Sequence, residues 1–95
     1  MLTPEGRVKK KLRALLDEVG VYYFMPATGG YGRSGVPDIV GCMNGKFFAI
    51  ECKAPGGKVT ALQHREINKI IMAQGVAFVY DGSMDDAEVL RRLGL

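Results

Sequence analysis

The chain lacks any apolar run approaching the roughly 18 residues that a membrane-spanning helix requires, which excludes a membrane span of that kind. Its N-terminus, MLTPEGRVKKKL, carries charge with no apolar stretch behind it, so no signal peptide is expected. Cysteine is scarce: Cys42 and Cys52 form no CxxC and neighbour no histidine, a pattern that points away from structural zinc and fits a reduced, cytoplasmic protein. The single histidine, His64, reads as exposed rather than as a general base. No GxxxxGK[ST] loop is present, and no nucleotide cofactor is expected. Internal repeats, low-complexity tracts and linkers are missing, so residues 1–95 read as one domain.

What is present is an ordinary globular composition, 47% hydrophobic and 24% charged over 95 residues. A net charge of +3 and a pI near 9.0 lean mildly toward anionic partners. Residues 1–20 hold five basic and three acidic side chains, and residues 81–95 hold two basic and four acidic. The basic end is either a nucleic-acid patch or a solvated helix face.

Punctuation along the chain predicts the order α-β-β-β-α-β-α. Thr3-Pro4 is a capping hydroxyl followed by a first-turn proline, and Val8, Leu12, Leu15, Leu16 and Val19 recur at helical spacing up to Gly20. VYYFM (21–25) reads as a strand ended by Pro26, and ATGGYGRSG (27–35) as a loop. DIVGCM and KFFAIEC flank Asn44-Gly45, a strong hairpin signal because both residues tolerate positive φ. Thr60-x-x-Gln63 resembles a capping box for a second helix with apolar positions Leu62, Ile67, Ile70 and Ile71, closed by Gly75. VAFVY (76–80) predicts a fourth strand. Ser83 is a candidate cap for a last helix reaching Leu93, with Asp85 and Asp86 near its positive end.

The hairpin converts sequence distance into geometry. A two-residue loop at 44–45 pairs Met43 with Lys46, and counting outward brings Asp38 opposite Glu51. Opposed residues share a sheet face with Cβ atoms about 5 Å apart, where like charges repel. Lys53 is on that face as well. A divalent cation between the carboxylates would turn repulsion into coordination, and the lysine could orient water and stabilise charge developing on phosphorus. The plainer account is a turn aspartate beside a same-face Glu51–Lys53 ion pair. Glu5 lies within about 20° of Leu12 around the first helix, on its apolar side; it either faces a cation or offsets the helix dipole in the first turn. Gln63 either completes the capping box or stands at the site end of its helix.

Together these residues resemble a family. GVPDIVGCMNGKFFAIECKAPGGKVTALQ is similar to the VRR-NUC domain, a branch of the PD-(D/E)xK nuclease superfamily: a helical Glu, then G-x-P-D, E-x-K, a P-G-G-K loop and T-x-x-Q. The resemblance implies an α/β, restriction-endonuclease-like α-β-β-β-α-β core with a short C-terminal helix, its mixed sheet flanked by helices. It implies a Mg²⁺- or Mn²⁺-dependent phosphodiesterase acting on DNA, of the stand-alone phage or bacterial type. Such proteins resemble resolvases of four-way (Holliday) junctions that work as homodimers. By position, Asp38 and Glu51 would bind metal with the backbone carbonyl of Cys52, and Lys53 would position the water. Glu5 would reach the metal directly or through water, and Gln63 would support the site. Around it, Arg33, Ser34 and the loop amides are candidate phosphate contacts. Lys58, just before a helix N-terminus, is a better one. Arg7, Lys9, Lys10, Lys11 and Arg13 read mostly as a solvated surface. The other reading is a non-catalytic DNA-binding or assembly module, or a nuclease preferring flap or duplex DNA.

Overall fold

A computed structural model describes residues 2–27 and 32–95. The first helix, α1 (Pro4–Val19), starts where the sequence predicts: the Thr3 hydroxyl accepts from the Gly6 N–H at 3.0 Å, and Gly20 ends the helix at φ 81°. Val8, Leu12, Leu15 and Leu16 are buried along one stripe, whereas Val19 is exposed and Val21, beyond the helix, is buried instead. The following strand, β1 (Tyr22–Phe24), is shorter than expected.

The hairpin of β2 (Ile39–Met43) and β3 (Lys46–Cys52) has the expected register, Met43 opposite Lys46 and Ile39 opposite Ile50. Asn44 at φ 51° and Gly45 at φ 79° supply the two positive values that a type I′ turn needs. Helix α2 (Ala61–Met72) then crosses over to β4 (Val76–Tyr80), which pairs parallel to β3; the sheet order is β1-β2-β3-β4, with the other pairs antiparallel. Helix α3 (Asp86–Arg92) finishes the chain.

The sheet's two faces differ. Ile39, Phe48, Ile50, Cys52, Phe78 and Tyr80 join the stripe of α1 and Val89 and Leu93 of α3 in one core. The opposite face, with the small residues Ala49 and Ala77, lies under α2. Little of α2 is swallowed. Ile67 and Glu66 are buried, but Leu62 and Ile71, expected on the apolar side, are exposed, as is Phe47 of β3.

Two helix boundaries differ from the sequence reading. The left-handed residue after α2 is Gln74 (φ 72°) rather than Gly75, whose N–H instead reaches back to the Ile70 carbonyl at 2.9 Å in a Schellman-type closure. The cap of α3 is Asp85, whose carboxylate accepts from the Glu88 N–H at 2.8 Å; Ser83 lies two residues too early and donates to Asp81 in the preceding turn. Among the described residues, no helix is long and apolar enough to cross a membrane.

Candidate active site

Asp38 immediately precedes β2, after the buried Pro37. Its Oδ2 accepts from the Cys52 N–H of β3 at 2.9 Å, extending the hairpin by a side-chain rung and holding the carboxylate against the strand that carries Glu51. Glu51 is only 2% exposed. Its Oε2 lies 3.5 Å from Lys53 Nζ and accepts from Gln63 Nε2 at 3.2 Å. Its Oε1 is buried and has no hydrogen-bond partner among the described residues. Burial first, then the neighbouring Asp38 carboxylate, push the Glu51 pKa up to about 7, against the opposing pull of Lys53.

Gln63 serves both ends of the alternative that its sequence position left open. Its Oε1 accepts from the Thr60 N–H at 2.9 Å while Thr60 Oγ accepts from the Gln63 N–H at 3.2 Å, completing a capping box. The amide's other end donates to Glu51. The start of α2 is therefore locked to the buried carboxylate.

Glu5 does not reach Glu51 or Asp38 directly. Lys9, one turn along α1, stands between them: its Nζ is 3.4 Å from Glu5 Oε2 and 3.3 Å from Asp38 Oδ1. Burial opposes the ammonium, but the Asp38 and Glu5 carboxylates outweigh it and raise the Lys9 pKa. Lys9 is thus set apart from the solvated cations of α1; its i, i+4 spacing from Glu5 signals that half of the contact, whereas Asp38 is brought to it by the fold.

Arg33 and Glu66 form the second polar cluster. Arg33 Nε and Nη2 donate to the two Glu66 carboxylate oxygens at 2.9 and 2.8 Å, and Glu66 is 7% exposed. The guanidinium thus clasps α2 to the segment leading to Asp38, a role that the phosphate-contact reading missed. Hydrogen bonds from Arg33 chiefly hold the Glu66 carboxyl below its usual range. A glutamate one turn from both Gln63 and Ile70, on the inward side, was the clue to a buried partner. Gly35 completes the docking: at φ 79°, a Cβ there would come within 2.5 Å of the Leu62 carbonyl carbon and oxygen. Ser34, Lys58 and His64 are exposed. The expected loop's residues 28–31 lie outside the described residues. GYGRSG (30–35) has the GxGxxG spacing, yet it leads into β2 instead of opening a helix, which a dinucleotide fingerprint would do.

No group of three or more His, Cys, Asp or Glu side chains is gathered for a metal among the described residues. The donor chemistry nevertheless fits a hard divalent cation such as Mg²⁺, which takes one or two carboxylates and completes its shell with water and substrate oxygens. Two carboxylates converge, and one buried Glu51 oxygen has no hydrogen-bond partner among the described residues. Burial pushes the Cys52 thiol up to about 12, with Asp38 and Glu51 adding to the effect, so its sulfur is inert at neutral pH.

A four-stranded mixed sheet between helices, with this carboxylate pair where the hairpin meets α2, defines a restriction-endonuclease-like α/β core. Residues 6–79 match the family described as "Archaeal holliday junction resolvase (hjc)", of the PD-(D/E)xK nuclease superfamily, and the chain belongs to that family. It is also 36% identical over 92 residues to "Putative nuclease p44" of Acyrthosiphon pisum secondary endosymbiont phage 1, covering 94% of each chain. The family match spans Lys9, Asp38, Glu51, Lys53 and Gln63, and leaves Glu5 one residue outside.

Proposed function

We propose that this chain is a divalent-metal-dependent endonuclease that resolves four-way DNA junctions as a homodimer. Membership of a resolvase family supports the reaction and the substrate. The observation that carries the site assignment is Glu51, a buried carboxylate with an unpartnered oxygen beside a second carboxylate. The VRR-NUC resemblance of the motif residues supports the same chemistry within the superfamily.

Asp38, Glu51 and the backbone carbonyl of Cys52 are the proposed ligands of Mg²⁺ or Mn²⁺, with Glu5 contributing through water. When bound, the ion supplies Lewis-acid polarisation of the scissile phosphate and of water. Lys53, 13% exposed at its side chain and beside Glu51, holds the attacking water and offsets negative charge developing on phosphorus. The water oxygen would bond to phosphorus and give up a proton to solvent as the P–O ester bond breaks, and the departing oxygen would take a proton from solvent. Gln63 keeps Glu51 oriented through its 3.2 Å hydrogen bond. Lys58 is the proposed backbone-phosphate contact, near the N-terminus of α2. A junction needs two symmetric cuts and the described residues of one chain present one such site, so a two-fold dimer would supply the second.

The test is a cleavage panel of four-way, flap, splayed and duplex DNA with Mg²⁺ or Mn²⁺. The expected result is paired cuts in the four-way substrate, lost with Asp38→Ala or chelator. Binding without cleavage of any substrate would leave only a DNA-binding module.

A further inference from the structure

Taking Asp38 and Glu51 as the cation ligands, a premise that comes from the proposed function, we infer that Lys9 is a built-in counter-cation. Its ammonium pairs with Asp38 and competes with the metal for that carboxylate. Asp38 uses its two oxygens differently. Oδ2 is committed to the Cys52 N–H at 2.9 Å, and Oδ1 faces the Lys9 ammonium at 3.3 Å. The oxygen left for a metal is therefore the one that Lys9 holds. The same ammonium lies 3.4 Å from Glu5, so it bridges the two outer carboxylates of the proposed site, while Lys53 lies beside Glu51.

The position is fixed at the backbone and loose at the tip. Val8 and Leu12 are buried on either side of Lys9 along α1, which pins the helix. The Lys9 side chain is 33% exposed, and its four-carbon stem lets the ammonium leave without moving the fold. A helix-surface Glu-to-Lys pair alone would be unremarkable. The third member, Asp38, is distant in sequence and lies within the site, which makes Lys9 part of it. Metal occupancy and the Lys9–Asp38 contact are therefore coupled negatively: each weakens the other by the same factor.

The test is calorimetric titration of Mn²⁺ into metal-free wild type, Lys9→Met, Lys9→Gln, Lys9→Arg and Asp38→Ala, with thermal unfolding of each variant with and without Mn²⁺. Lys9→Met and Lys9→Gln should bind Mn²⁺ about 3- to 5-fold more tightly, the size that a partly exposed ion pair supports. Both should also gain more in Tm from the metal than wild type does. Lys9→Arg, which keeps the charge, should not tighten. Unchanged or weaker Mn²⁺ affinity in the two neutral variants would overturn the counter-cation. Wild-type Mn²⁺ affinity in Asp38→Ala would instead remove the ligand assignment, a failure visible without any Lys9 variant.

Discussion

Replacing Glu51 by glutamine should stabilise the metal-free protein at pH 8, although it removes a residue of the proposed site. Glu51 is 2% exposed, and its pKa is raised from 4.5 to about 7 by burial and by Asp38. A carboxyl with a raised folded pKa favours folding in its protonated form. The folded state binds more protons than the unfolded state between those two values, so stability falls as pH rises through the interval. The full shift corresponds to about 3 kcal/mol, reached above pH 7. Glutamine keeps the shape and an acceptor for the Gln63 amide, but carries no charge to desolvate. Urea denaturation in chelator should therefore give Glu51→Gln an advantage of about 2–3 kcal/mol at pH 8, shrinking to nothing near pH 4.5. Saturating Mn²⁺ should erase the difference by stabilising wild type alone. A Glu51→Gln variant no more stable than wild type at pH 8 would refute the claim that the site is electrostatically strained without a cation.

The docking of the loop onto α2 gives two further expectations. Gly35→Ala should cost about 2 kcal/mol or more in urea denaturation, because positive φ adds to a clash with the Leu62 backbone. Gly45→Ala, also at positive φ but with nothing within 4 Å of its added carbon, should cost less. Arg33→Ala should lower stability in urea denaturation by removing the bidentate partner of Glu66, leaving only Arg65 at 3.8 Å. Because the folded Glu66 pKa is lowered, its stabilisation is present above the unfolded value and is lost as pH falls below about 4.5. Wild type should therefore lose stability in that acid range more steeply than Arg33→Ala does in parallel pH-dependent denaturation.

The hairpin was legible because Asn-Gly admits one tight turn, and a two-residue loop leaves one register; Asp38, Glu51 and Lys53 followed from counting. Thr3 and Thr60 were legible as caps because their partners are three residues away. Burial on α2 was not legible. That helix lies on a sheet face with small residues at Ala49 and Ala77, so only a narrow stripe turns inward, and Leu62 and Ile71 remain exposed despite their type. The carboxylate partners of Lys9 and Arg33 were not legible for a related reason. A long charged side chain on a surface element does not disclose in sequence which distant carboxylate the fold brings to it. Asp38 is 29 residues from Lys9, and Glu66 is 33 from Arg33. Gln74 took the left-handed position beside an available glycine, and propensity alone does not choose between adjacent candidates.

The central claim is that Asp38, Glu51 and Lys53 form a hydrolytic centre rather than a structural ion-pair cluster. Single-turnover cleavage of a synthetic four-way junction in Mn²⁺ by Lys53→Met, with junction binding measured on the same samples, tests it most directly. Wild-type binding and a fall in cleavage rate of at least about 100-fold are expected, the scale on which loss of one electrostatic or proton-handling group is felt. Cleavage at the wild-type rate by a folded Lys53→Met protein would contradict that claim.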